Sequence, residues 1–281
     1  MWALICIEWI KTFRKLRTYL GFLAFGFFLP LVFIGIKLGG GVMAAQQFVQ
    51  FSRFSEYFVI MGNLFNCFFV SQFMMMTFFV HIPFLIVLVG ADIVAGEATA
   101  GTLRMILVRP PSRLKVILAK VIISLTYTAL LIGFMAALSL GLGYLLFGSG
   151  EMLLANGGIY IVTASEALWR TLLAYFLAFL AMSVVAALSF LFSVLVENAI
   201  GPIIGAMMVV IICLIISQVP LTLFETIRPY LFTTYSSVWL KMFEGVINWR
   251  EVFIHSTYLV LYMMGFFLLA YLIFRRKDIL S

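Results

Sequence analysis

The sequence predicts an all-α integral membrane protein with six transmembrane helices. Two bulk observations and one periodic one carry this. Of 281 residues, 65% are hydrophobic and only 10% charged, where a soluble domain carries about 25% charged residues. Mean hydropathy is +1.19, so lipid is the solvent for most of the chain. The apolar residues fall in six runs long enough for a bilayer core of about 30 Å, which takes about 20 helical residues to cross. The net charge of +7 sits in short clusters between these runs. That pattern reads as topology control by Lys and Arg, and it leaves no soluble module to bind nucleic acid.

The whole chain, 1–281, reads as one membrane domain. Residues 1–17 come first. Trp2, Ile5, Cys6, Trp9, Phe13 and Leu16 recur at helical spacing, and Glu8, Lys11 and Lys15 line another face. This predicts an amphipathic helix lying in the interface, with Trp at the headgroups and Lys and Arg toward lipid phosphates. Charges after a short apolar turn, with no small-residue cleavage site, do not read as a signal peptide. The six crossings follow at 18–38, 64–91, 116–147, 167–196, 200–219 and 252–274. The second, third and fourth exceed a bilayer's need and are expected to tilt or project.

Six crossings put both termini on one side. That side collects twelve of the eighteen basic residues: Lys11, Arg14, Lys15, Arg17, Arg104, Arg109, Arg113, Lys115, Lys120, Arg275, Arg276 and Lys277. The positive-inside rule then makes both termini cytoplasmic, in a cell's inner (cytoplasmic) membrane. The external segment 220–250 is too polar to cross and too apolar for a free loop. Glu225, Arg228, Pro229, Tyr235, Trp239, Lys241 and Trp249 predict short re-entrant or interfacial helices anchored by aromatics.

Candidate chemistry concentrates in the inner loop 92–114. It opens with Asp92 and Glu97 at the membrane edge. A short amphipathic helix is expected next, with Thr102, Leu103, Ile106 and Leu107 interleaved with Arg104 and Arg109. Pro110-Pro111 ends it, since proline cannot extend a helix, and Ser112 is the expected N-cap of the third span. A rigid cytoplasmic helix with an apolar edge suits a partner groove. Elsewhere the sequence offers less. His81 stands alone in the second span, where a packing role outweighs a functional one. Met74-Met75-Met76 point in different directions on a helix and read as packing. Glu166 and Arg170 are spaced for a local ion pair. Gly201-Pro202 and Gly205 are expected to loosen the fifth span. Cys6, Cys67 and Cys213 lie apart in apolar stretches and suggest no metal site.

The run Glu97…Gly101-Thr102-Leu103-Arg104…Leu107-Val108-Arg109-Pro110…Ser112-Arg113…Lys120 resembles the cytoplasmic loop of ABC-two type exporter permeases. The C-terminal Phe274-Arg275-Arg276-Lys277-Asp278-Ile279-Leu280 is similar to that family's tail. Arg104 departs from the acidic residue many relatives carry there. The resemblance implies a permease subunit that forms the translocation pathway as a homodimer or heterodimer. Each loop helix would dock on a separate ATP-binding subunit that holds ATP and Mg. Glu97, Gly101, Thr102, Leu103, Arg104, Ile106, Leu107, Arg109, Pro110 and Arg113 would form the ATPase-coupling element. The chain has no GxxxxGK[ST] sequence to cradle phosphates, so no ATP hydrolysis is expected of it; its eleven Asp and Glu residues fall at span ends or in loops, so no intramembrane enzyme is expected either. Membrane lipid is the other expected partner. A second reading is a membrane anchor or mechanical transmitter of an ABC complex, acting on an extracytoplasmic partner without moving a solute.

Overall fold

The fold was analysed from a computed structural model, which describes residues 1–38, 66–99, 112–154, 160–196, 198 and 200–276. It is built of helices: α1 (Trp2–Phe13), α2 (Leu16–Leu38), α3 (Cys67–Phe78), α4 (Ile82–Gly90), α5 (Asp92–Thr99), α6 (Arg113–Phe147), α7 (Ala164–Leu195), α8 (Gly201–Gln218), α9 (Thr222–Glu225), α10 (Phe232–Tyr235) and α11 (Trp249–Arg276). Two short 3-10 segments, Arg228–Tyr230 and Ser236–Phe243, complete the region before α11. Among the described residues, six helical stretches are long and apolar enough to span a membrane: α2, Ile82–Thr99, α6, α7, α8 and α11.

The spans lie close to the predicted intervals, because length and apolarity alone define them. The second departs. It is broken into α3, α4 and α5, and its helix runs on to Thr99. Asp92 and Glu97 therefore sit on a helix rather than in a loop. Pro83 explains the first break, since it lacks the N–H that would bond Phe79 and its ring opposes the preceding turn. The strand pair β1 (Met152–Leu154) and β2 (Tyr160–Val162) was not expected from an all-α reading. It is antiparallel, with Met152 opposite Val162, and it caps the end of the bundle that carries the α3 N-terminus. There Asn66 accepts from the amides of Phe68 and Phe69.

Helix α7 is the axis of the bundle, packed against α3, α4, α5, α6, α8, α11 and residues 236–243. Its buried face is rich in Ala174, Ala178, Ala181, Ala186, Ala187, Ser183, Ser189 and Ser193. Small residues let helices approach closely in lipid, where packing rather than apolar burial drives association. Gly90 on α4 shows how close: a Cβ there would fall on the Ser189 hydroxyl and 3.3 Å from its Cβ. We expect Gly90→Ala to destabilise the fold by about 1–3 kcal/mol, read as a lowered thermal midpoint in detergent. Adding Ser189→Ala should recover part of the loss.

The outer helices show the opposite face. Leu23, Phe27 and Leu31 on α2, Ile204, Met208 and Ile215 on α8, and Phe253, Leu261 and Met264 on α11 are all exposed. Such a surface calls for an apolar surrounding rather than water. Helix α8 starts at Gly201 with Pro202 in its first turn and runs unbroken to Gln218. The expected loosening is not seen, because proline in a first turn removes no helical hydrogen bond. Gly205 instead makes room for the Phe192 ring, 2.9 Å from where a Cβ would lie.

The region after α8 is folded. Arg170, buried on α7, donates to the carbonyls of Met242, Glu244 and Gly245 at 3.5, 2.7 and 3.4 Å, closing the end of the 236–243 segment. It also pairs with Glu166 at 2.6 Å, the pair that i,i+4 spacing predicts. Lys241 pairs with Glu251 at the start of α11. Ser217 at the end of α8 bonds Thr233 on α10.

Candidate functional site

The chemistry-bearing residues gather at the end of the bundle that holds α1, α5, the start of α6 and the end of α11. Helix α5 is fixed first. Ser193 of α7 accepts from the amides of Val94 and Ala95 at 3.0 and 2.9 Å and donates to the Ala91 carbonyl at 2.6 Å. A side chain from another helix thus satisfies the open amides at the start of α5. That sets the rotation of α5, which aims Asp92 and Glu97 at α1, α2 and α6.

Glu97 meets Lys120, which lies two turns into α6 and is fully buried. The Lys120 ammonium is 2.7 Å from Glu97 and 2.8 Å from Glu8 of α1. It also donates to the Ile93 carbonyl at 3.1 Å, so two carboxylates and a carbonyl surround the ammonium. Lys11 joins from α1, 2.9 Å from Glu97 and 3.2 Å from Glu8. Asp92 takes two cations at the α1–α2 elbow, Lys15 at 2.7 Å and Arg17 at 3.0 Å. A cavity of about 10 Å³ between these groups has room for no more than one water. Burial disfavours the Lys11 ammonium, but the Glu97 and Glu8 carboxylates outweigh it and hold its pKa above the ordinary 10.5. With the folded pKa raised, this contribution is complete at neutral pH and is lost only as pH climbs through the alkaline range.

Helix α1 is turned accordingly. Glu8 and Thr12 are buried, whereas Trp2, Cys6, Trp9 and Ile10 face outward. Trp2–Phe13 is helical, and Lys11 and Lys15 pair with α5 carboxylates where lipid phosphates were expected. The physical reason is geometric: the α5 carboxylates stand within hydrogen-bond reach of both ammonium groups.

The described residues include only part of the predicted coupling element. Glu97 is the central carboxylate of the cluster. Arg113 opens α6 and donates to the carbonyls of Phe274 and Arg275 at 3.4 and 2.9 Å, which ties the third span to the end of the sixth. Gly101, Thr102, Leu103, Arg104, Ile106, Leu107, Arg109 and Pro110 lie outside the described residues. Ser112 holds the N-cap position of α6 through its carbonyl, and its hydroxyl makes no cap bond. His81 lies at the α3–α4 break, exposed, with Nδ1 3.1 Å from the Thr77 carbonyl. Met74 and Met75 are buried and Met76 exposed, so the three diverge as consecutive helical residues do. No group of three His, Cys, Asp or Glu able to hold a metal occurs among the described residues.

Sequence reasoning did not assemble this cluster. Its one signal was Lys120 itself, a lysine flanked on both sides by apolar residues, which demands a partner wherever it is buried.

Six apolar helices, one of them the small-residue axis α7, define a multi-pass membrane protein. The chain belongs to the family described as protein of unknown function DUF2705, whose model matches residues 24–280. No curated protein matches it.

Proposed function

We propose that the chain is the membrane-spanning permease subunit of an ATP-driven exporter of the ABC-two type. It works as a dimer, with ATP and Mg on a separate ATP-binding subunit. The observation that carries this reading is the Glu97–Lys120 pair at 2.7 Å. These two residues bracket the segment that resembles the family's coupling loop. A loop whose two ends are clamped together, and to α1 through Glu8, moves its anchors when it moves. Force from a docked ATPase then reaches α1, α5 and α6 together. The basic residues at this end, among them Arg14, Lys115, Arg275 and Arg276, support a cytoplasmic location for it and for both termini.

The second reading, a transmitter that moves no solute, draws on the region at the opposite end. Arg170 and Lys241 fix residues 236–243 to α7 and α11, which suits a platform for an extracytoplasmic partner. Replacing residues 220–250 separates the two. A transmitter loses its output and keeps ATPase coupling.

The purified chain alone is expected to hydrolyse no ATP, and turnover should appear when the cognate ATP-binding subunit is added. Turnover that scales with the concentration of this chain alone, in a preparation free of other ATPases, overturns the reading.

A further inference from the structure

The charges at the α1 end divide into two groups of different balance. Lys11 and Lys120 face Glu8 and Glu97 and neutralise them. At the elbow between α1 and α2, by contrast, Lys15 and Arg17 have Asp92 as their one carboxylate among the described residues, and Arg14 adds a third cation beside them. Arg14 is exposed and makes no ion pair with any described residue. Lys15 and Arg17 share one carboxylate while their side chains stay 42% and 50% exposed. Arg17 reaches Asp92 through Nη1, and no described residue accepts from its Nη2. The elbow therefore carries an uncompensated cationic surface with donors to spare. Beside these cations Leu16 is 86% exposed, and Leu20 and Trp9 are exposed as well. A soluble anion would satisfy the cations and leave this apolar flank in water. A ligand with a phosphate joined to acyl chains satisfies both.

We propose that the α1–α2 elbow is a binding site for an anionic phospholipid. Its phosphate is held between Arg14 and Arg17, with Lys15 beside it, and its chains lie along Leu16 and Leu20. Asp92 sets the stance of Lys15 and Arg17, so the headgroup meets arranged donors instead of mobile side chains. The site bears on the ion cluster directly, because the lipid and Asp92 share two cations.

Native mass spectrometry of the full chain in detergent, titrated with phosphatidylglycerol or phosphatidylcholine, tests this. We expect phosphatidylglycerol to bind at least about twentyfold more tightly, and Arg14→Gln to remove about fivefold of that preference. Arg14→Gln disturbs no described contact, so its fold should be intact by circular dichroism. Arg14→Gln with Arg17→Gln should erase the preference, and Arg275→Gln with Arg276→Gln should leave it unchanged. Equal binding of the two lipids, or a preference that survives both elbow variants, overturns the proposal. Displacement of the lipid by excess inorganic phosphate also overturns it, in favour of a soluble anion.

Discussion

Lys120→Met is expected to destabilise the protein by about 3–5 kcal/mol, the usual cost of breaking a buried ion pair from one side. Methionine fills nearly the same volume, so the loss is not one of packing. It arises because Glu8 and Glu97, both nearly buried, lose the ammonium that sits 2.8 and 2.7 Å from them. Lys11 alone cannot neutralise two carboxylates. The Ile93 carbonyl loses its lysine donor as well. The check is the thermal midpoint of the chain in detergent, followed by tryptophan fluorescence. A triple variant, Lys120→Met with Glu8→Gln and Glu97→Gln, removes the unpaired charges together and should regain much of the loss. If the single variant melts with the wild type, the cluster does not hold α1 to the bundle.

The spans were legible because one physical constraint, the thickness of a bilayer, writes itself into run length. The first, third, fifth and sixth helices begin and end within a few residues of their apolar runs. The Glu166–Arg170 pair was legible because four residues make one helical turn. The ion cluster was not. Glu8 and Lys120 stand 112 residues apart, and no local spacing encodes their meeting. It depends on Ser193 turning α5 and on the elbow at Arg14 turning α1. The same distance effect hid the donors that Arg170 sends to residues 242–245. The β1–β2 ribbon left a weak local trace, Asn156-Gly157-Gly158 between two apolar triplets. Two three-residue strands are too short for an alternation pattern to stand out. The break at Pro83 had a plain signal that the length of the apolar run obscured.

The second large effect concerns the segment between the clamped ends. Leu103→Asp, and separately Ile106→Asp, should weaken capture of the ATP-binding subunit by on the order of several kcal/mol. The cause is a desolvated, unpaired charge at an apolar contact. The membrane part should be unaffected, since Glu97, Lys120 and Arg113 hold α5, α6 and α11 without residues 103 and 106. If the segment docks as proposed, Arg104 and Arg109 would give orientation more than affinity, so their single replacements by Gln should cost less.

Capture of the cognate ATP-binding subunit by the purified chain, wild type against Leu103→Asp and Ile106→Asp, tests the central claim most directly when run beside a size-exclusion profile of each variant. The account predicts stoichiometric capture by the wild type, loss of capture by both variants, and three superimposable elution profiles. Undiminished capture and ATP-coupled activity in both variants would contradict it, and would move the docking surface away from the loop that Glu97 and Lys120 enclose.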